Sequence, residues 1–197
     1  MNQFANILFL IQSVTGILAQ TPVPLFEDIS HKLTLPYRQD WACVSDSSFN
    51  HLLKTKFNVI DLPQMRQKAI GKPGEGGLCQ GQVFQVKENA IIRVYRMWSR
   101  QAPLTKWGHW WTLKKPSGGL FQYRRDYAIC YHTFPIDSLV SCQLKANALV
   151  VAGPGQSAFC DNGSHYLPSA EIQVYIEDVS SAVINCRIAL KTPFLTP

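Results

Sequence analysis

Three short runs of this chain set polar groups capable of chemistry among apolar ones: Ile91-Ile-Arg-Val-Tyr-Arg96, Trp107-Gly-His-Trp-Trp-Thr112 and Ser169-Ala-Glu-Ile-Gln-Val-Tyr-Ile176. Each reads as a strand, along which side chains alternate between two faces. In the first run Arg93 and Tyr95 share one face, and Arg96 points to the other with Val94 and Ile92. An arginine on an apolar face is costly unless it is partnered. Its planar fork suits a phosphate or a backbone carbonyl within a cleft; an ordinary buried ion pair or an edge position is the plain alternative. In the second run Gly108 lets the backbone bend or approach a ligand. His109, Trp110 and Thr112 can line a slot for a flat ring, with Thr112 as a hydroxyl partner, whereas simple core packing of the tryptophans competes with that account. In the third run Glu171 and Gln173 lie on one face, with Val174 and Ile176 on the other. A carboxylate there can stabilise an oxocarbenium-like transition state as a glycosidic bond to a cationic leaving group breaks. The amide can orient a ribose or an attacking water, and an exposed polar strand face is the plain reading.

The elements that must position these groups are mostly strands. Val83–Val86, Ala90–Met97, His109–Leu113, Asp126–Thr133, Ser138–Leu144, Ala148–Ala152, Glu171–Ile176 and Ala182–Leu190 carry the strand pattern, separated by turn residues such as Pro116-Ser-Gly-Gly119. One helical region is expected over about 45–67, capped by Asp46 or Ser47, with Phe49, Leu52, Leu53, Phe57, Ile60 and Leu62 as its apolar face and an interruption at Pro63. Gly71-Lys-Pro-Gly-Glu-Gly-Gly77 reads as a flexible connection and lacks the Gly-Lys-Ser/Thr of a phosphate-binding loop. Gly153-Pro-Gly-Gln-Ser157 reads as a loop before the last functional strand. The expected fold class is therefore α+β, a mostly antiparallel β domain with an N-terminal helical segment.

Composition bounds the rest. A length of 197 residues and 46% hydrophobic content suit one domain with a real core. The net charge of +6 favours anions in general, but no block of like charges and no groove-binding motif is present, so nucleic acid is not expected as the ligand. Residues 1–20 carry no charged side chain and an apolar run over Ile7–Leu18, which reads as a signal peptide too short to span a bilayer. A single secreted or periplasmic domain over 21–197 is then expected, its start (21–40) proline-spaced and extended. All six cysteines, Cys43, Cys79, Cys130, Cys142, Cys160 and Cys186, follow the signal, and an even count reads as disulfides. Spacing does not assign the pairs, although Cys130 with Cys142 is a plausible link across neighbouring strands; no Cys/His spacing suggests a metal. Asp161-Asn-Gly163 is a turn signal within the sequon Asn162-Gly-Ser164.

Over about residues 90–177 the order of motifs resembles the ADP-ribosyltransferase superfamily, the toxin fold of the pertussis and cholera type. In that family a first strand contributes an arginine, a second a Ser-Thr-Ser or aromatic-Ser/Thr run, and a later strand Glu/Gln-x-Glu. The matching positions here are Tyr95-Arg96, Trp110-Trp-Thr112 and Glu171-Ile-Gln173. The resemblance implies NAD as substrate, cleavage at the nicotinamide–ribose bond, and transfer of ADP-ribose to a protein acceptor in a target cell or to water, with a delivery partner as a further implication. It casts Arg96, Gln173 and Glu171 as catalytic, and Arg96, His109, Trp110 and Thr112 as the cofactor-binding set. Two departures, Trp-Trp-Thr for Ser-Thr-Ser and Gln173 at the usual glutamate position, weaken protein modification and leave NAD hydrolysis or a non-catalytic relative. The competing class is a non-enzymatic secreted disulfide-rich module of adhesion, inhibitor or lectin-like type. A secreted nuclease ranks last, because the five histidines are scattered.

Overall fold

The computed structural model describes residues 42–44, 53–131 and 135–189. The expected signal peptide, the proline-spaced stretch and the first part of the expected helix lie outside the described residues. The alternating and apolar runs pair as antiparallel strands: β1 (Phe57–Ile60), β2 (Gln82–Val86), β3 (Arg93–Trp98), β4 (Trp110–Thr112), β5 (Ser138–Leu144), β6 (Leu149–Gly155), β7 (Ala158–Phe159), β8 (His165–Tyr166), β9 (Ser169–Tyr175) and β10 (Val183–Ala189). Eight of them form one sheet in the order β1-β2-β6-β9-β4-β3-β5-β10, and β7 with β8 makes a separate hairpin. Besides the helical residues 53–56, the described chain has three short helices, α1 (Pro63–Ala69), α2 (Leu120–Asp126) and α3 (Val179–Ala182), and a 3₁₀ turn at Pro103–Trp107. The α+β expectation therefore holds.

Strand alternation divides the core between the two faces of this sheet. One face buries Val94, Trp111, Val140, Val150 and Val174, each at most 1% exposed. The opposite face carries two smaller clusters, one around Leu78, Val83 and Val151 and one of Met97, Tyr123, Tyr127 and Leu139. Both faces are covered, so the middle strands read as nearly continuous apolar runs.

Several expectations need correction. The helix over 45–67 does not continue to its end. Residues 53–56 are helical, but Phe57–Ile60 pairs with β2, Phe57 opposite Val86. The Phe57 ring lies 5.6 Å from that of Phe84, so aromatic burial against β2 overrides a weak helical period. Pro63 opens α1 instead of interrupting a helix, because at the first helical position its missing N–H is no loss. The strand expected at Asp126–Thr133 does not form among its described residues: Asp126 ends α2, and 127–131 are turn and irregular chain. Tyr123 and the capping Tyr127, one helical turn apart, set their rings at 4.9 Å with a tilt of 52°. Residues 153–155 extend β6 rather than forming a loop, and Gln156 and Ser157 beyond them are buried.

The disulfides are Cys43–Cys79, Cys130–Cys160 and Cys142–Cys186. Cys130 with Cys142 is thus not a pair: Cys142 lies on β5 and meets Cys186 on the adjacent β10, at a Cα separation of 4.0 Å. Near Cys186 the β5–β10 register shifts between Ile184 and Arg187, and Asn185 adopts a φ of 51°. Asp161–Gly163 makes the expected turn between β7 and β8, closed by Asn162 Oδ1 accepting from the Ser164 N–H at 3.1 Å. Disulfide bonding fits an oxidising compartment. Among the described residues no helix is long and apolar enough to cross a membrane.

Candidate functional site

The three runs singled out by their chemistry become neighbouring strands. β3 pairs with β4 and β4 with β9, and Tyr95, Thr112 and Gln173 stand opposite one another across the three. Cross-strand partners project to the same face, so Thr112 and Gln173 share a face with Trp110, opposite the main core. Trp111, between them, faces the core, is 1% exposed and donates its indole N–H to the Gly108 carbonyl at 2.9 Å. Core packing therefore accounts for Trp111, and Trp110 is the tryptophan that the alternation leaves for a slot.

On that face lies a cavity of about 620 Å³. Met97, Trp110, Thr112 and Gln173 belong to the sheet side, and Tyr123 and Tyr127 of α2 to the helical side. Arg96 and Trp98 line it as well, as do Thr105 of the 3₁₀ turn, Phe159 of β7 and the segment Glu75–Gly77. The cavity thus gathers Arg96, Trp110, Thr112 and Gln173 from the expected set, and omits His109 and Glu171. His109 instead places Nδ1 2.9 Å from the Ile176 carbonyl and its ring 5.4 Å from that of Tyr175. Glu171 accepts from Lys114 Nζ at 2.9 Å, and that bond raises the lysine above its usual range.

Arg96 is partnered by main chain. Its Nε donates to the Thr105 carbonyl at 2.7 Å and Nη1 to the Trp110 carbonyl at 2.6 Å. Gly108 packs directly on the guanidinium, and a Cβ there would come within 2.7 Å of Cζ. Of the two partners that an arginine in this place suits, the structure supplies carbonyls. No carboxylate pairs with Arg96 among the described ion pairs, and burial lowers its pKa from the ordinary arginine value. A cation held in this way keeps its full charge available to an anion in the cavity.

Gln173 is 6% exposed and donates Nε2 to the Tyr127 carbonyl at 3.2 Å. That bond turns the amide so that its oxygen has no donor among the described residues. Thr112 Oγ1 donates to the Lys114 carbonyl at 2.8 Å. Burial pushes the Tyr123 phenol up to about 12 and drives Tyr127 upward too, with the nearby Glu171 charge adding to the effect. Trp98 is 7% exposed, and its indole N–H has no acceptor among the described residues. Buried donors are almost always satisfied.

No family model, no curated protein and no solved structure matches the chain. The site's chemistry therefore rests on its own geometry. Aromatic walls suit a flat ring, an uncompensated guanidinium suits a phosphate, and a free amide oxygen suits a hydroxyl donor. Sequence reasoning missed Trp98, Tyr123, Tyr127, Phe159 and Glu75. For the tyrosines a signal existed in their four-residue spacing, which was lost when Tyr127 alone was taken into the strand expected at Asp126–Thr133. Glu75 and Phe159 had none, because 84 positions separate them and tertiary pairing alone brings their segments together.

Proposed function

We propose that the cavity binds NAD and that the protein cleaves its nicotinamide–ribose bond, passing ADP-ribose to water or to a protein acceptor. The observation that carries this reading is the convergence of Arg96, Trp110, Thr112 and Gln173, drawn from three separate runs, on one cavity. In the proposed arrangement Arg96 attracts the dinucleotide phosphates. Trp110, Tyr123 and Tyr127 supply flat apolar surface for the nicotinamide. The free Gln173 oxygen accepts from a ribose hydroxyl and orients the sugar. Departure of nicotinamide leaves positive charge on the ribose, and a site with little competing water makes each nearby dipole count for more. With Glu171 tied to Lys114 and a neutral amide at 173, the reading favours water over a protein side chain as acceptor. Secretion, a toxin-like role in a target cell and a delivery partner belong to the same proposal; the disulfides and the uncharged first 20 residues with their apolar run over Ile7–Leu18 support secretion.

The second reading is a secreted binding module without turnover. It is favoured by Arg96, which spends two of its donor groups on carbonyls and so also acts as a structural clamp. Incubating the oxidised protein with NAD and following nicotinamide release separates the two. Release that Arg96→Ala and Gln173→Ala both abolish is expected; no release by the wild type, with or without protein acceptors, selects the binding module.

A further inference from the structure

We infer that Glu75 is the general base of this site, a role that rests on the NAD-cleaving reading and supplies the carboxylate missing at position 173. Glu75 is the one acidic residue lining the described cavity. It is exposed, so water reaches it, and it joins no ion pair among the described residues. Its own contact is the Lys72 N–H at 3.4 Å, a long bond that leaves the carboxylate largely unspent. Glu171, the other candidate carboxylate, is held by Lys114.

The segment around Glu75 is not a slack connection. Gly74 N donates to Ser157 Oγ at 2.9 Å, Gly76 N to the Ser157 carbonyl at 2.8 Å, and Phe159 N to the Gly74 carbonyl at 2.8 Å. Gln156 N donates to the Gly77 carbonyl at 2.9 Å, and Glu75 bridges Ala158 across this seam. Gly74 and Gly76 flank the glutamate with φ of 90° and 78°, a backbone region that side-chain-bearing residues avoid. A Cβ on Gly74 would also come within 2.6 Å of the Phe159 ring. The Gly-Glu-Gly sequence thus fixes the backbone that presents Glu75 at the cavity rim, from which its side chain can serve as a general base.

In the step this assigns, water held by Glu75 attacks the anomeric carbon. The water oxygen–carbon bond forms while the carbon–nitrogen bond breaks, and its electron pair stays on nicotinamide. The proton lost by the water passes to Glu75 and then to solvent. The products are ADP-ribose, neutral nicotinamide and one proton.

The test compares wild type, Glu75→Gln and Glu75→Asp, all oxidised, with NAD as probe. Glu75→Gln is expected to bind NAD like the wild type by calorimetry and to release nicotinamide about a hundredfold more slowly or worse. Azide, which needs no base, is expected to restore release and give the azido-ADP-ribose product; Glu75→Asp should be intermediate. Full turnover by Glu75→Gln overturns the assignment. So does loss of turnover together with binding and without azide rescue, which marks a structural role. A wild type that neither binds nor cleaves NAD overturns the underlying reading, and this one with it.

Discussion

Arg96 offers the sharpest test of how this site is built. Arg96→Met keeps most of the aliphatic bulk, removes the cation and leaves the Thr105 and Trp110 carbonyls without their donor. Hydrogen bonds to charged groups contribute about 1.5–3 kcal/mol each, so the two together contribute about 3–6 kcal/mol. Against this stands the recovered cost of desolvating the guanidinium, which the lowering of its pKa by burial makes evident. The net expectation is a loss of about 2–4 kcal/mol, or about 4–16 °C in Tm for a domain of this size. Arg96→Lys should fall about midway, since an ammonium cannot present a planar fork to carbonyls from two different elements. Urea denaturation of wild type, Arg96→Lys and Arg96→Met measures the series directly. A methionine variant within about 0.5 kcal/mol of wild type, the range of an indifferent surface substitution, would show that these bonds do not hold the 3₁₀ turn and β4 in place, and the clamp argument would fail.

Two further expectations follow from the same geometry. Replacing Cys142 and Cys186 together by serine releases a closure spanning 44 positions and should lower stability by about 4 kcal/mol on the chain-entropy account, read by the same denaturation. Tyr123 titrates at about 12 instead of 10 in the folded state; a raised folded pKa favours the protonated phenol, so its stabilisation is complete below pH 10 and is lost as pH rises towards 12. Tyrosinate absorbance should accordingly show a late-titrating class that shrinks in Tyr123→Phe, and an unchanged titration curve would contradict the burial of this phenol.

The sheet was legible because its strands announce themselves by local pattern. Arg96 was legible for a related reason: an arginine in phase with Ile92 and Val94 has to find partners, and it finds carbonyls. The helical turn at Leu120–Asp126 was hidden because its seven residues carry Phe121 and Tyr123 and are followed by Tyr127, aromatic types that also favour strands. Phe57–Ile60 was misassigned because pairing with β2, more than twenty residues away, decides its state. Glu75 was invisible as a site residue for the most physical of reasons. Apart from the adjoining Gly76 and Gly77, the cavity is lined by residues from Arg96 onward, and the position of this segment is set by bonds to Ser157 and Phe159.

The sheet ends at β10, where Ile184 and Ile188 are exposed at 39% and 48%. A long, straight, sticky margin of this kind is an invitation for another chain to add a strand. The left-handed Asn185 and the slipped register beside it break that margin into two short pieces, so an incoming strand finds no continuous ladder to copy. Cys186 sits within the break and is bonded to the buried Cys142 on β5. Reduction is therefore expected to cost more than stability: it would free this margin to straighten and accept an incoming strand.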